Sequence, residues 1–292
     1  MNKVDILGVK IDAITQTQVL ERVESFLHPN NPAFAEASVG KQIITANPEI
    51  VLKAWQNEAY RNLINNATVV VPDGIGLLWA AKFLSLKSEN ILTSLIQMMA
   101  TGASLIFAPE YCKEVLPERI AGVDLMEKIC EQASQKNWKI YLLGGEERIA
   151  QKTGEVLKSK YLSLDIVGAE AGPTLNDTRY LIHDNDPETN DSIKSINESK
   201  ADILFVAMGA PKQDFFIKDI LNQLPSVKIA MGVGGAFDFI SGKVKRAPII
   251  YQDLGVEWLF RLFNQPWRFF RILNATVKFM WNVIKYKQLL NK

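Results

Sequence analysis

Across 292 residues there are two cysteines and two histidines, so the side chains most used for thiol, metal and imidazole chemistry are nearly missing. Cys112 and Cys130 stand outside any C-x-x-C spacing, which excludes a disulfide framework and a thiolate zinc site. His28 precedes Pro29 and His183 falls in a polar stretch, so a histidine-based triad or a multi-histidine metal site has too few parts. No G-x-x-x-x-G-K-[ST] occurs, which disfavours ordinary P-loop nucleotide hydrolysis. The opening MNKVDILGVKIDAIT carries Lys3, Asp5 and Lys10 and lacks a long apolar core before a small-residue cleavage site. A secretory signal is not expected, and the cytoplasm is the expected compartment. Acids are missing from the last 32 residues, where Arg261, Arg268, Arg271, Lys278, Lys285, Lys287 and Lys292 supply seven cations. Residues 1–260 therefore hold 26 cations against 32 acids, a charge of −6, under an overall +1. A basic tail on an acidic body implies an anionic partner: a membrane surface, a nucleic acid or a phosphorylated ligand.

What is present is apolar and periodic. Apolar residues make up 48% of the chain, enough for one large domain or a domain plus an appendage. Short apolar runs at 42–46, 68–73, 139–145, 164–169, 201–209 and 227–235 read as strands covered on both faces. Between them PEIVLKAWQNEAYRNLINN, AGVDLMEKICEQASQKN, EERIAQKTGEVLKSKYL and PKQDFFIKDILNQL have helical spacing. The alternation predicts an α/β fold, a doubly wound Rossmann-like sheet. TANPE, PDG, LGG, MGAPKQ and GVGGAFD all fall at strand ends, where such sheets bind ligands. Residues 176–200 read as a surface loop with a short helix.

Three strand ends carry candidate chemistry. In KIAMGVGGAFDFISGKVKRAP, Gly232 and Gly234 fit a dinucleotide fingerprint, but Phe237 stands at the third glycine position and the loop follows the last strand. Gly234 and Gly235 can still present backbone N–H groups to an anion, with Asp238 accepting from a base or sugar; the alternative is a purely structural turn. In TANPE, Thr45 and Asn47 end a strand and Pro48 opens a helix, leaving N–H groups beside the crevice. In PDG, Asp73 is placed to act as a general base, although Asp-Gly is also an ordinary turn pair. The D-x-D at 184–186 sits in a polar loop and reads as coincidence.

Two stretches look outward. ILTSLIQMMATGASLIFA, 91–108, is 18 residues without a charge, which suits a helical hairpin buried or dipping into a membrane surface better than a true span. From residue 255, three tryptophans and several phenylalanines alternate with cations, and Pro266 is expected to break the segment into two helices. Such a segment can lie in a headgroup layer or pack on the domain with a solvated basic side.

Taken in order, TANPEIV, VVPDGIG, ERIAGVDL, LLGG, GAPKQD, GVGGAFDFISGKVKRAP, GVEWLFRL and PWRFFR resemble the WecG/TagA/CpsF family of glycosyltransferases, over nearly the whole chain. The resemblance implies transfer of N-acetylmannosamine or a related sugar from a UDP-sugar to a polyprenyl-diphosphate-linked sugar, inverting and with no metal or other cofactor. It implies Asp73 as the base, with Thr45 and Asn47 in the sugar pocket. Arg119 and Gln213 are implied to contact donor or acceptor, Asp238 the uracil or ribose, and Arg261, Arg268 and Arg271 the diphosphate leaving group. The implied partners are the UDP-sugar, the polyprenyl acceptor and the inner membrane surface, with no nucleic acid and homo-oligomer formation open. The expected division is a catalytic α/β domain over 1–250, with an apolar insertion at 86–116, and a helical appendage over 251–292. A competing reading is a nucleotide- or phosphosugar-binding regulatory module without turnover.

Overall fold

The computed structural model describes residues 2–28, 40–88, 90–174, 186–253, 257, 260 and 274–290. Six of its strands form one parallel sheet: β3 (Lys41–Ala46), β4 (Val69–Pro72), β5 (Lys139–Gly144), β6 (Asp165–Glu170), β7 (Ile203–Ala207) and β8 (Ile229–Gly232). Their order is β4-β3-β8-β7-β5-β6. All six were legible as apolar runs. The N-terminal segment was not, and it makes an antiparallel hairpin of β1 (Lys3–Ile6) and β2 (Val9–Asp12). Leu7 and Gly8 both take positive φ at its two-residue turn, 54° and 77°, the twist that suits a tight hairpin. Asp12 is buried and accepts the N–H of Val70 at 2.8 Å, so the hairpin occupies a donor on the edge strand β4.

Side-chain alternation assigns the two faces. Ile43, Val69, Val71, Ile140, Leu142, Phe205 and Met231 point to one side, against α1 (Gln16–Leu27), α7 (Gly122–Lys136) and α8 (Ile149–Lys160). Ile44 and Val70 point to the other, against α2 (Pro48–Gln56), α3 (Glu58–Asn66) and α4 (Ile75–Ser85). On that same side Tyr141, Leu204 and Ala230 meet α10 (Lys212–Ile220), next to α9 (Pro187–Ser199). The stretch 48–66, continuous in apolar spacing, is two helices. Asn57 separates them because its side chain accepts the N–H of Tyr60 at 3.0 Å and starts α3, a bond that competes with continuing α2.

The apolar stretch forms α5 (Ile91–Phe107), followed by the short α6 (Pro109–Lys113). Among the described residues no helix is long and apolar enough to cross a membrane. Short helices α11 (Ala236–Ile240) and α12 (Ile249–Asp253) follow β8, and α13 (Phe279–Leu290) ends the described chain. Pro266 and the break expected there lie outside the described residues, as do Pro29, His183, Asp184 and Asn185. α13 sets Phe279, Val283 and Ile284 into the same core as β3 and β4. Its Lys287 is also buried, donating to the Phe83 carbonyl and to Gln97 Oε1, both at 2.6 Å. Burial pushes that amine down to about 8.

Candidate active site

The connections fix where a ligand can sit. From β5 the chain leaves through α8 towards β6, and from the neighbouring β7 it leaves through α10 towards β8, on the opposite face. Adjacent strands whose connections part in this way open a crevice at their carboxyl ends. A cleft of about 550 Å³ lies there, walled by Gly145 and Glu146 after β5, Gly172 after β6, Gly209 and Lys212 after β7, and Gly234, Gly235 and Asp238 after β8. At Gly234 φ is +52° and the space where a Cβ would stand is open, so conformation rather than crowding favours glycine.

Gln213 holds this rim together from behind. Its buried Oε1 accepts the N–H of Gly209 at 3.1 Å and that of Gly234 at 2.9 Å, joining the loops after β7 and β8. The Gly234 N–H thus points inward. Gly232 serves packing: a Cβ there would stand 2.5 Å from Gln213 Nε2 and 2.8 Å from Asp214 Oδ1. Asp214, which sequence reasoning passed over as a site residue, is wholly buried, and Tyr60 Oη donates to its carboxylate at 2.5 Å. Burial pushes its pKa up to about 6, against the lowering influence of the Tyr60 and Gln213 hydrogen bonds and of Lys53. At the mouth, Lys243 Nζ lies 2.5 Å from Glu146 and 3.6 Å from Asp238, bridging two acids of the cleft wall.

Thr45, Asn47 and Asp73 come together two strands along, at the tips of β3 and β4. Thr45 pairs with Val71 in register, and the Asp73 N–H donates to the Ala46 carbonyl at 2.6 Å. Asp73 Oδ2 accepts the N–H of Gly122, the first residue of α7, at 3.2 Å. The positive end of a 15-residue helix therefore faces the carboxylate. Gly122 also passes close to Thr45: a Cβ there would lie 3.1 Å from Thr45 Oγ1. Asn47 caps α2, its Oδ1 accepting from the Ile50 N–H at 2.9 Å.

Arg119 stands beside this cluster, because the next residue, Ile120, donates its N–H to the Pro72 carbonyl at 2.8 Å. Its guanidinium reaches the C-terminal segment, donating to the Gln252 carbonyl at 2.7 Å and lying 3.6 Å from Glu257. Arg246 lies 3.6 Å from the same Glu257 and forks onto Asp124 at 2.5 and 2.9 Å. Arg261, Arg268 and Arg271 lie outside the described residues. Of the D-x-D, Asp186 is described, and it caps α9 by accepting the Thr189 N–H at 2.9 Å. Among the described residues no group of three or more His, Cys, Asp or Glu is placed to hold a metal ion.

This arrangement can be set beside known proteins. The family description "Glycosyl transferase WecG/TagA/CpsF family" matches residues 4–98 and 86–292. The chain belongs to that family. It is a glycosyltransferase, as its relatives are named. It is similar to proteins of Staphylococcus aureus strains MRSA252 and MW2, each 31% identical over 291 residues, covering 99% of this chain and 95% of the relative. Both carry the name N-acetylglucosaminyldiphosphoundecaprenol N-acetyl-beta-D-mannosaminyltransferase.

Proposed function

We propose that this chain transfers N-acetylmannosamine or a related sugar from a UDP-sugar to a polyprenyl-diphosphate-linked sugar at the inner face of the cell membrane, in cell-surface polymer synthesis. The observation that carries the reading is the match along 99% of the chain to relatives named as N-acetylmannosaminyltransferases acting on a diphosphoundecaprenol-linked N-acetylglucosamine. The position of Asp73 supports it. Strand tips lie about 4.8 Å apart, so the β4 tip stands roughly 10 Å from the β8 tip and about 19 Å from the β5 tip. A nucleotide over the glycine loops after β5, β7 and β8 extends its diphosphate and sugar towards Thr45, Asn47 and Asp73.

In the proposed step the Asp73 carboxylate takes the proton of the acceptor hydroxyl as that oxygen bonds to C1 of the donor sugar. The bond from C1 to the diphosphate oxygen breaks with its electron pair, and UDP leaves. One displacement from the opposite face inverts the anomeric centre. Charge growing on the diphosphate is met by cations of the chain, Lys212 on the cleft wall together with Arg261, Arg268 and Arg271, with no metal required. Asp238 contacts the uridine, and Gln213 acts as a positioning residue through the two loops it joins. Arg119 exchanges Glu257 for substrate phosphate.

The test is UDP release from a panel of UDP-sugars with a polyprenyl-diphosphate N-acetylglucosamine acceptor, with and without a chelator. Turnover that needs the acceptor and survives chelation is expected. UDP binding without turnover on any donor overturns the reading in favour of a binding module. Deleting the tail would strip Phe279, Val283 and Ile284 from the core, so the arginines are tested by Arg261→Ala, Arg268→Ala and Arg271→Ala in the full chain. Each is expected to lower kcat on the order of 100-fold.

A further inference from the structure

Helix α5 is built inside out. Ser94, Gln97, Thr101 and Ser104, spaced three and four apart, make one polar stripe, and that stripe faces the protein alongside Met98 and Leu105, which pack on the core. Ser94 is 1% exposed and Thr101 0%. Their hydrogen bonds run to the preceding linker, to α13, to Cys112 and back onto the helix's own carbonyls. Ser94 Oγ donates to Ser88 Oγ at 2.9 Å, and Gln97 donates to the Lys87 carbonyl at 2.7 Å while accepting from Lys287. Thr101 donates to the Gln97 carbonyl at 2.7 Å, and Ser104 Oγ lies 3.2 Å from Cys112 Sγ. The opposite stripe, Ile91, Leu92, Leu95, Ile96, Met99 and Phe107, faces outward, with Met99 71% and Phe107 85% exposed. A helix against water has the reverse arrangement.

We infer that the outward face of α5 is a docking surface for a lipid bilayer, lying flat with its apolar stripe among the acyl chains; the inference rests on the proposed transfer to a lipid-linked acceptor. Charge on the neighbouring element agrees. α13, joined to α5 through Lys287 and Gln97, exposes Trp281 with Lys285 Nζ 5.0 Å from its ring, and residues 261–292 contain no acid. An exposed tryptophan and lysine on one helix, joined to a helix with an exposed apolar stripe, is a composition suited to an anionic headgroup layer. A second copy of the chain fits less well. The stripe is about 25 Å long and about 10 Å wide, roughly 250 Å², against about 800 Å² on each partner of a stable dimer.

The experiment is flotation of the full chain with phosphatidylcholine vesicles, with and without phosphatidylglycerol, in the absence of donor and acceptor. Wild type is compared with Leu92→Glu/Ile96→Glu and with the milder Leu92→Ala/Ile96→Ala, and circular dichroism checks that each folds. Wild type is expected to float. The glutamate pair is expected to lower partition on the order of 100-fold, from roughly tenfold per side chain, and the alanine pair to fall between. Failure of wild type to float, or glutamate-pair partition within about twofold of wild type, overturns the inference. So does sedimentation showing a wild-type dimer that the substitutions dissociate while vesicle binding persists, since a second copy then covers the face. Vesicle binding without turnover sinks the transferase reading alone. Turnover on a short-chain soluble acceptor without vesicle binding sinks the docking surface alone.

Discussion

The tips of β3 and β4 and the tips of β5, β7 and β8 belong to one sheet edge but are built from different material. The first pair offers side chains: Thr45, Asn47 and a carboxylate at Asp73 anchored to the start of α7. The second group offers glycines and backbone, with Gln213 stapling two loops from below. Bare backbone admits a broad ligand closely, whereas a placed carboxylate does chemistry at one atom. On the proposed function, nucleotide binding falls to one end of the row and bond-making to the other.

The largest effect that sharpens this contrast is on Asp73. Asp73→Asn is expected to lower kcat on the order of 1,000-fold, with the KM for UDP-sugar little changed; steady-state kinetics reads both. Next comes the buried carboxylate behind the glycine rim. Because the folded pKa of Asp214 is about 6 and its usual value is 3.8, the folded state holds the proton more tightly. Its contribution is present below about pH 4 and is lost as pH rises through 6, on the order of 3 kcal/mol. Denaturant melts of wild type and Asp214→Asn across that window are expected to diverge by this amount. No divergence would remove Asp214 as the titrating group. Gly232→Ala drives a methyl into Gln213 and Asp214 and is expected to cost about 2 kcal/mol in the same melts, with KM rising as the stapled loops shift. Smallest is Asp238→Ala, expected to raise the KM for UDP-sugar about tenfold, near 1.4 kcal/mol, while kcat holds.

Much of this is legible in the sequence. Continuous apolarity marked all six parallel strands, since a strand covered on both faces has no polar side to break the run. The two short strands of the hairpin are harder to read because KVDI and VKID, although they alternate polar and apolar residues, each hold only two repeats of the pattern. Asn57 was read as part of a helix because capping is a matter of one side chain's hydrogen bond. The residues at strand tips were visible as motifs, but their division of labour was not. Gly232 and Gly234 look alike in sequence, and only the packing of Gln213 beneath them separates a space requirement from a backbone one. In α5 the polar residues at 94, 97, 101 and 104 are visible in the sequence, but the way they face is not. Periodicity alone turns the apolar side inward, and the inward polar face emerges only from the partners at Ser88, Lys87 and Lys287.

The most direct measurement is a side-by-side titration of UDP into Asp73→Asn and Asp238→Ala by calorimetry, with wild type as reference. The account predicts that Asp73→Asn, with turnover nearly abolished, binds UDP within about twofold of wild type, whereas Asp238→Ala binds about tenfold more weakly. Loss of UDP affinity in Asp73→Asn with wild-type affinity in Asp238→Ala would contradict the division of the site.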